Sequence, residues 1–450
     1  MTTDAARQVE ALPTPAEKAF TVLVLLFSTG AFLTSLQGPH DPSLGARTGN
    51  ALTNAMWSLI YLITFFLLKT RCAFARGSFT GASLLLLLVG IALASISWSD
   101  APVLTALRSI ALIGTTLAGL YLATRYSLKQ QVRLLGVTFG IAAALSLLFA
   151  LVVPSYGTAR GEFQGAWIGI YSHKNIFGAN MAIGFAVFLG LGRSEPRYRW
   201  ASRLGAGLSL LLVLFSDSVT SLLACVAALG VLLSTGVLRH AHRRRVSYVL
   251  MGVVAITLMF LVVFYFEDLV NALGRDPALT GRTRLWEVVL GVILDRPYVG
   301  YGYGAFWRGY EGPSGDVWNA FGMELFYSHN GFLDVWLDLG LLGLGTFIVG
   351  YVVYAGRALS LLQTTRDPEA LWPFVFLVGL FASNLTEGSI LRSNTAAWIL
   401  YTATVFSVCS AKGELAECSR VGWSGGRTAL GRLGPGKGRS PILEVNRCSP

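Results

Sequence analysis

G-R-T-R-L-W (Gly281–Trp286), D-R-P-Y-V-G-Y-G-Y-G (Asp295–Gly304) and S-H-N-G-F-L-D-V-W-L-D-L-G (Ser328–Gly340) follow one another between two long apolar segments. The first two and the start of the third carry arginines, a histidine and aromatic rings, and none of them reads as a spanning helix. Crossing the hydrocarbon takes ~20 mostly apolar residues. Wherever the rest of a chain is apolar, a polar insert of this kind is where chemistry is expected to sit.

Working outward, apolar runs recur near 19–36, 51–68, 80–97, 102–122, 134–153, 175–192, 204–216, 219–238, 246–266, 331–356, 371–387 and 395–410. The seventh is short, and S-D-S-V-T-S (Ser216–Ser221) reads as a tight turn dividing one long run into two spans. The chain is 54% hydrophobic and 13% charged, with a mean hydropathy of +0.59. Soluble domains carry about 25% charged residues. The expected fold is therefore all-α, a polytopic integral membrane protein with about twelve transmembrane helices and one large outer, periplasmic insert.

Charge fixes the orientation. Basic clusters follow the second, fourth, sixth and eighth spans: Lys69/Arg71/Arg76, Arg125/Lys129/Arg133, Arg193/Arg197/Arg199/Arg203 and Arg239/Arg243/Arg244/Arg245. Lys and Arg are retained inside, so both termini are expected in the cytoplasm of a bacterial inner membrane protein. The organisation expected is a cytoplasmic N-terminus (1–18), nine spans (19–266) with an outer loop at 154–174, a large outer loop (267–330), three more spans (331–410) and a basic, Gly/Arg/Ser/Pro-rich cytoplasmic tail (411–450), expected to be disordered. The first apolar segment reads as an uncleaved signal anchor. The net charge of +11 is dispersed over loops and tail, which speaks for membrane lipid as a partner and against nucleic acid. Cys72, Cys225, Cys409, Cys418 and Cys448 all fall in spans or on the inner side, so no disulfide is expected.

Within the insert, Leu285, Val288, Val289, Val292 and Ile293 recur at helical spacing, with Arg282 and Glu287 outside the stripe. This is an amphipathic helix suited to the membrane interface. Its arginines either touch headgroups or, in Arg282 and Arg284, grip a lipid-linked phosphate with a planar fork of donors. G-Y-G-Y-G lacks the Lys-Ser/Thr of a phosphate loop. It reads as a sharp turn whose tyrosines are free to form a sugar-stacking wall. His329-Asn330 sits where the insert re-enters the membrane. Imidazole there serves as a base or as a donor to a departing pyrophosphate, although a lone histidine is more often structural. Asp334 and Asp338, four residues apart on one helix face, either orient His329, bind sugar hydroxyls, or cap a polar seam.

The loop from Pro154 to Asn175 is the second polar concentration, with Arg160 and the sequence Ser172-His173-Lys174-Asn175. His173 and Lys174 form an anion site, or Lys174 snorkels at a helix end. Arg108 follows Trp98-Ser-Asp-Ala-Pro102 and falls inside a span. Burial there costs about 2.5–3.5 kcal/mol on insertion scales, so it should face a polar cavity or a partner, for which Glu387, Asn384 and Arg392 are candidates. No carboxylates group at a metal-ligand spacing. His240 and His242 lie in a basic loop and read as solvated.

Together these motifs resemble the O-antigen ligase and Wzy-type polymerase superfamily, and within it the ExoQ-like exopolysaccharide proteins. The resemblance rests on G-R-x-x-x-W at Gly281–Trp286, P-x-x-G-x-G-x-G at Pro297–Gly304, and H-N-x-x-L at His329–Leu333 closed by Asp338 and Gly340. S-H-K-N-x-x-G at Ser172–Gly178 and W-S-D-x-P with downstream Arg108 add to it. It implies a fold related to lipid-dependent, GT-C-like glycosyltransferases and an undecaprenyl-pyrophosphate-linked oligosaccharide donor. It further implies transfer at the outer face without metal or other cofactor, and chain-length regulators or export proteins as partners. Arg282 matches the family's phosphate-binding arginine and His329 its key histidine. Arg160 corresponds to an arginine of the first outer loop. Asn330, Asp338, Arg284, His173, Lys174 and Arg108 complete the expected substrate-binding set. Polymerisation of repeat units into exopolysaccharide is the function implied. A ligase that hands glycan to a lipid A core or another acceptor is the near alternative. A flippase or other transporter is the distant one, because no internal repeat is visible. An assembly scaffold without enzymatic activity is more distant still.

Overall fold

The computed structural model describes residues 12–32, 51–71, 76–240, 281–322 and 324–410. Among these residues the secondary structure is helical, apart from one isolated bridge between Thr158 and Trp167. The helices are α1 (Pro15–Ser28), α2 (Ala51–Arg71), α3 (Ser83–Ala94), α4 (Pro102–Arg125), α5 (Leu128–Val152), α6 (Lys174–Ser194), α7 (Arg199–Phe215), α8 (Val219–His240), α9 (Gly281–Asp295), α10 (Pro313–Phe321), α11 (Gly331–Thr364) and α12 (Leu371–Asn384). A final apolar helix, α13, runs Ala396–Ser410. Five of them, α2, α4, α5, α6 and α11, are long and apolar enough to cross a membrane. α13, α3 with the turn that follows it (Ser83–Ser97), and Val219–Thr235 of α8 are shorter apolar helices. The chain is a multi-pass membrane protein. The span expected at 246–266, the start of the insert and the tail from 411 onward lie outside the described residues.

Local sequence sets the helix boundaries. Thr14 and Glu17 form a reciprocal capping box ahead of α1, with Pro15 at its first position, and Ser127 with Gln130 does the same for α5. Between α7 and α8 the helix stops at Phe215 and resumes at Val219, at the break expected from S-D-S-V-T-S. Asp217 takes φ 53° there, the left-handed conformation that Asp tolerates better than most residues.

Lipid gives helices no hydrophobic drive to associate with one another, so close approach and hydrogen bonds must hold them. Gly119 lets α4 come against Thr402 and the Ile399 carbonyl of α13. Thr220 of α8 and Thr386 after α12 share a buried hydroxyl pair at 2.6 Å. Large apolar side chains on α2, such as Leu62, Phe65 and Phe66, remain exposed on the outside of the bundle, as a lipid-facing surface requires.

The insert has a core of its own. Leu285, Val289 and Ile293 of α9 pack with Tyr301, Phe306, Trp307, Val317, Trp318, Leu325 and Leu337. This corrects the interfacial reading of α9: its apolar stripe is covered by protein, and only Leu290 and Leu294 at its margin stay open. The sugar-stacking wall is likewise overturned, because Tyr301 and Tyr303 are 3% and 5% exposed. Their hydroxyls donate to the carbonyls of Val292 and Leu391. The sharp turn itself is present, with positive φ at Gly300, Gly302 and Gly304.

That turn is wedged into α11. Gly340 (φ 64°, ψ −167°) breaks the helix, and the freed backbone groups are taken up by the insert. Leu341 and Leu342 N–H donate to the carbonyls of Pro297 and Tyr298, while Tyr301 and Gly302 N–H donate to those of Leu337 and Asp338. Irregular backbone at membrane depth is tolerated where such partners exist. The W-S-D segment locks the wedge from the other side. Trp98 Nε1 donates to Val299 O at 3.0 Å, Asp100 pairs with Arg296 at 2.5 Å, and Ser95 Oγ accepts from Tyr303 N–H.

Candidate active site

Three segments converge above the bundle: the start of α6 (Ser172–Asn175), the insert (Arg282 and Tyr327–Asn330), and the turn after α12 (Thr386–Arg392). Glu387 is their meeting point. α12 ends at Asn384, so Glu387 lies past the helix end rather than inside a span. Its Oε1 accepts from Asn175 Nδ2 at 2.6 Å and from an Arg282 guanidinium nitrogen at 3.0 Å. Its Oε2 accepts from the Tyr327 hydroxyl at 3.1 Å and stands 3.7 Å from His329 Nδ1. The other Arg282 nitrogen donates to Thr386 O at 2.6 Å.

His329 is held in an unusual conformation. Its φ of 52° lies in the left-handed region, a strain of order 1–3 kcal/mol that persists only when the surroundings over-determine it. Here they do. Trp286 Nε1 donates to Ser328 O, Ser328 N–H donates to Asp334 Oδ1, and Asn330 Nδ2 donates to Leu385 O. Gly331 N–H donates to the Glu387 carbonyl. Asn330 Oδ1 meanwhile accepts from Phe332 and Leu333 N–H, capping α11. The imidazole side chain remains 24% exposed, facing Tyr327 at 4.1 Å between ring centroids. The Arg392 guanidinium lies 4.3 Å from the Tyr327 ring and 3.9 Å from Asp334 Oδ2.

Burial alone would raise the Glu387 carboxyl, but His329 beside it and the Arg282 charge win, and hold it down at about 2. It is an anion at any working pH. Burial and the adjacent Glu387 charge push the Tyr327 phenol up, so it stays a neutral donor. His173, half-buried, caps α6 by accepting Asn175 N–H on Nδ1 at 3.2 Å, which leaves its Nε2 to carry the proton. Burial lowers its pKa, and the Lys174, Arg282 and His329 charges add to that against the pull of Glu387.

Not every expected residue gathers here. Arg108 does not meet Glu387 or Asn384; its guanidinium donates to the Gly304 carbonyl, with Asp338 within electrostatic reach. Both belong to the wedge at the α11 break, and Asp338 also lies within electrostatic reach of Asp334 and Arg392. Glu387 is instead occupied as described above, and Asn384 folds back on Leu380, Ser389 and Ile390. Arg284 is exposed, 5.5 Å over the Phe321 ring. Arg160 and Lys174 line a separate cavity of about 350 Å³ with His173. Conversely, Glu387, Tyr327 and Arg392 belong to the site, and no motif marked them. The available signal was a lone acid, T-E-G, set directly after an apolar run.

A cleft of about 280 Å³ opens at this point. Asn175, Tyr327, Glu387 and Arg392 form its polar end, and Ile183, Ala224, Ala228, Val375, Phe376 and Leu380 lie along its apolar wall between α6, α8 and α12. Such a cleft accommodates an amphiphile with a charged head and a long apolar tail. Among the described residues no group of three or more His, Cys, Asp or Glu is placed to hold a metal ion.

Residues 204–348, from within α7 to the middle of α11, match the family model described as O-antigen ligase. The match takes in Arg282, His329 and Asp338. Over 321 residues, 68% of this chain and 72% of the relative, the sequence is 28% identical to exopolysaccharide production protein ExoQ of Rhizobium meliloti (strain 1021). The chain is thus similar to ExoQ over most of its length and to the O-antigen ligases over its middle third. Its function is accordingly of the ligase and polymerase kind. In this ExoQ-like chain the family match covers the insert and its flanking helices, whereas Glu387, Arg392 and the α6 start lie beyond it.

Proposed function

We propose that this protein polymerises undecaprenyl-pyrophosphate-linked oligosaccharide repeat units into exopolysaccharide at the outer face of the bacterial inner membrane. The observation that carries this reading is the meeting of Arg282 and His329 at Glu387, which itself lines the polar end of an apolar cleft. The lipid tail lies in the cleft and the pyrophosphate sits at its mouth, near Arg282 and Arg392. On this reading both termini are cytoplasmic, as the basic loops favour, and twelve spans form a fold of the lipid-dependent glycosyltransferase type.

An acceptor hydroxyl attacks the anomeric carbon of the donor. A new C–O bond forms, the bond from that carbon to the phosphate oxygen breaks, and the pyrophosphate leaves with its electron pair on the lipid carrier. Glu387 on the Nδ1 side of His329 fixes Nδ1 as the donor position, which leaves Nε2 to take the hydroxyl proton. The 3.7 Å contact is loose, as catalytic hydrogen bonds often are before substrate binds. The arginines stabilise charge on the leaving group, the electrostatic contribution that usually dominates such steps. The donor is already activated, so this chemistry calls for no nucleotide and no metal.

The match to a family described as O-antigen ligase favours a second reading, transfer of finished glycan to a lipid A core or another acceptor. Gel analysis of glycans from cells lacking the protein, with and without a plasmid copy, separates the two. Loss of long polymer with a single lipid-linked repeat remaining means a polymerase. Long lipid-linked polymer that never reaches its acceptor means a ligase. Unchanged glycans in both fractions overturn both.

A further inference from the structure

We infer that Tyr303 is a positioning residue for Arg392, fixing the peptide group that aims this guanidinium at the donor phosphates. The inference rests on the transfer reading above and gives the G-Y-G-Y-G turn a part in it. Among the described residues that line the cleft, Arg392 is the only one with a positive charge. Its side chain is 39% exposed, whereas Leu391 and Tyr303 are 4% and 5% exposed. An open guanidinium thus stands on a buried backbone. Asp334 Oδ2, at 3.9 Å, is too far for a hydrogen bond, so that contact does not fix where the guanidinium points.

The backbone does. Leu391 has φ 55°. Asn, Asp and His tolerate the left-handed region, but a leucine there is an outlier that its surroundings must hold. The Tyr303 hydroxyl donates to the Leu391 carbonyl at 2.5 Å, and that carbonyl belongs to the peptide joining Leu391 to Arg392. On the far side, the Arg392 carbonyl accepts the Thr395 hydroxyl at 2.8 Å. The ends of the loop are pinned separately. Asn384 Oδ1 accepts from Ser389 and Ile390 N–H at 2.7 and 3.1 Å, and Asn394 N–H donates to Thr115 Oγ1 at 2.9 Å. Loss of the Tyr303 hydroxyl therefore frees the middle of the loop alone. Leu391 relaxes toward negative φ, and Arg392 swings off the mouth of the cleft.

The neighbouring tyrosine supplies the comparison. Tyr301 is equally buried, and its hydroxyl also donates to a backbone carbonyl, at 2.9 Å. That carbonyl is Val292's, in α9, so Tyr301 braces the insert from within and packs in the insert's own core. Tyr303 packs instead with the core of the bundle and reaches the loop that carries Glu387 and Arg392. Phe at either position keeps the ring and removes one buried hydrogen bond. A merely structural role makes the two substitutions equivalent; a positioning role separates them in donor binding.

The test uses the full chain in nanodiscs, supplied with an undecaprenyl-pyrophosphate-linked repeat unit, with binding of undecaprenyl pyrophosphate measured on the same preparations. Tyr303→Phe is expected to raise KM for the donor about tenfold with kcat within about threefold, whereas Tyr301→Phe changes neither beyond about threefold. Arg392→Gln should raise KM at least as much, and adding Tyr303→Phe to it should do nothing further, because both changes remove the same contact. Equal KM values for the two Tyr→Phe proteins overturn the proposal, as do additive effects of Tyr303→Phe and Arg392→Gln. Wild-type binding of undecaprenyl pyrophosphate by Arg392→Gln also overturns it, even if Tyr303→Phe fails to fold. Binding that is lost in Tyr303→Phe and Arg392→Gln but kept in Tyr301→Phe, with no donor turned over by the wild type, refutes the transfer reading and leaves the role of Tyr303 standing.

Discussion

Glu387→Gln keeps the shape of the side chain and removes its charge, which makes it the sharpest probe of the site. Arg282 and Glu387 are 10% and 14% exposed, so the exchange strands a guanidinium with little solvent to answer it. Removing one partner of a buried pair costs about 3–5 kcal/mol. The loss here should be smaller, about 2 kcal/mol, because Arg282 keeps the Thr386 carbonyl and glutamine still accepts a neutral hydrogen bond. Transfer should suffer more than stability. His329 loses the group that fixes its tautomer, and turnover should fall at least about a hundredfold. The assay follows consumption of a lipid-linked repeat unit by purified protein, with thermal unfolding measured on the same sample. A folded variant that turns over within about threefold of wild type, under 1 kcal/mol in barrier, would refute the assigned role.

Three further outcomes are expected. Gly340→Ala puts a methyl against the Tyr298 carbonyl at positive φ, which should destabilise the protein by at least about 1–3 kcal/mol and open the insert to limited proteolysis; unaltered cleavage would contradict the wedge. Arg108→Met removes a donor to Gly304 O and should loosen the same insert while leaving donor-lipid binding at the Glu387 cleft within about threefold, or under 1 kcal/mol; equal loss of both would make Arg108 part of the site. The Glu387 carboxyl, at about 2 against an ordinary 4.5, contributes stability that is fully present above pH ~4.5 and lost as pH falls toward 2. Unfolding temperatures should therefore decline over that window in wild type and decline less in Glu387→Gln.

Membrane architecture and the importance of the insert were legible in the sequence because hydropathy and spacing are local signals. So was the placing of Arg282 and His329 on a single polar face, through motifs that sit in the insert. Their common partner was not legible. Glu387 lies 105 residues from Arg282 and carries no motif, and its role exists only once the turn after α12 folds over the insert. Arg108 was recognised as needing a partner, but side chains were the only partners considered. A backbone carbonyl exposed by a glycine turn leaves no trace in residue type. The tyrosines of G-Y-G-Y-G misled in the opposite way. Aromatic rings in a polar insert suggest a surface, yet here they form the insert's core, because a segment outside the bilayer must bury apolar area of its own to stay folded.

The central claim is that Arg282 and His329 act together on a lipid-pyrophosphate-linked glycan. Its most direct test is transfer by reconstituted wild type, Arg282→Ala and His329→Ala proteins supplied with an undecaprenyl-pyrophosphate-linked repeat unit. Wild type should release undecaprenyl pyrophosphate and extend the glycan, while both variants insert normally and do neither. Near-normal release by either variant would contradict the site assignment.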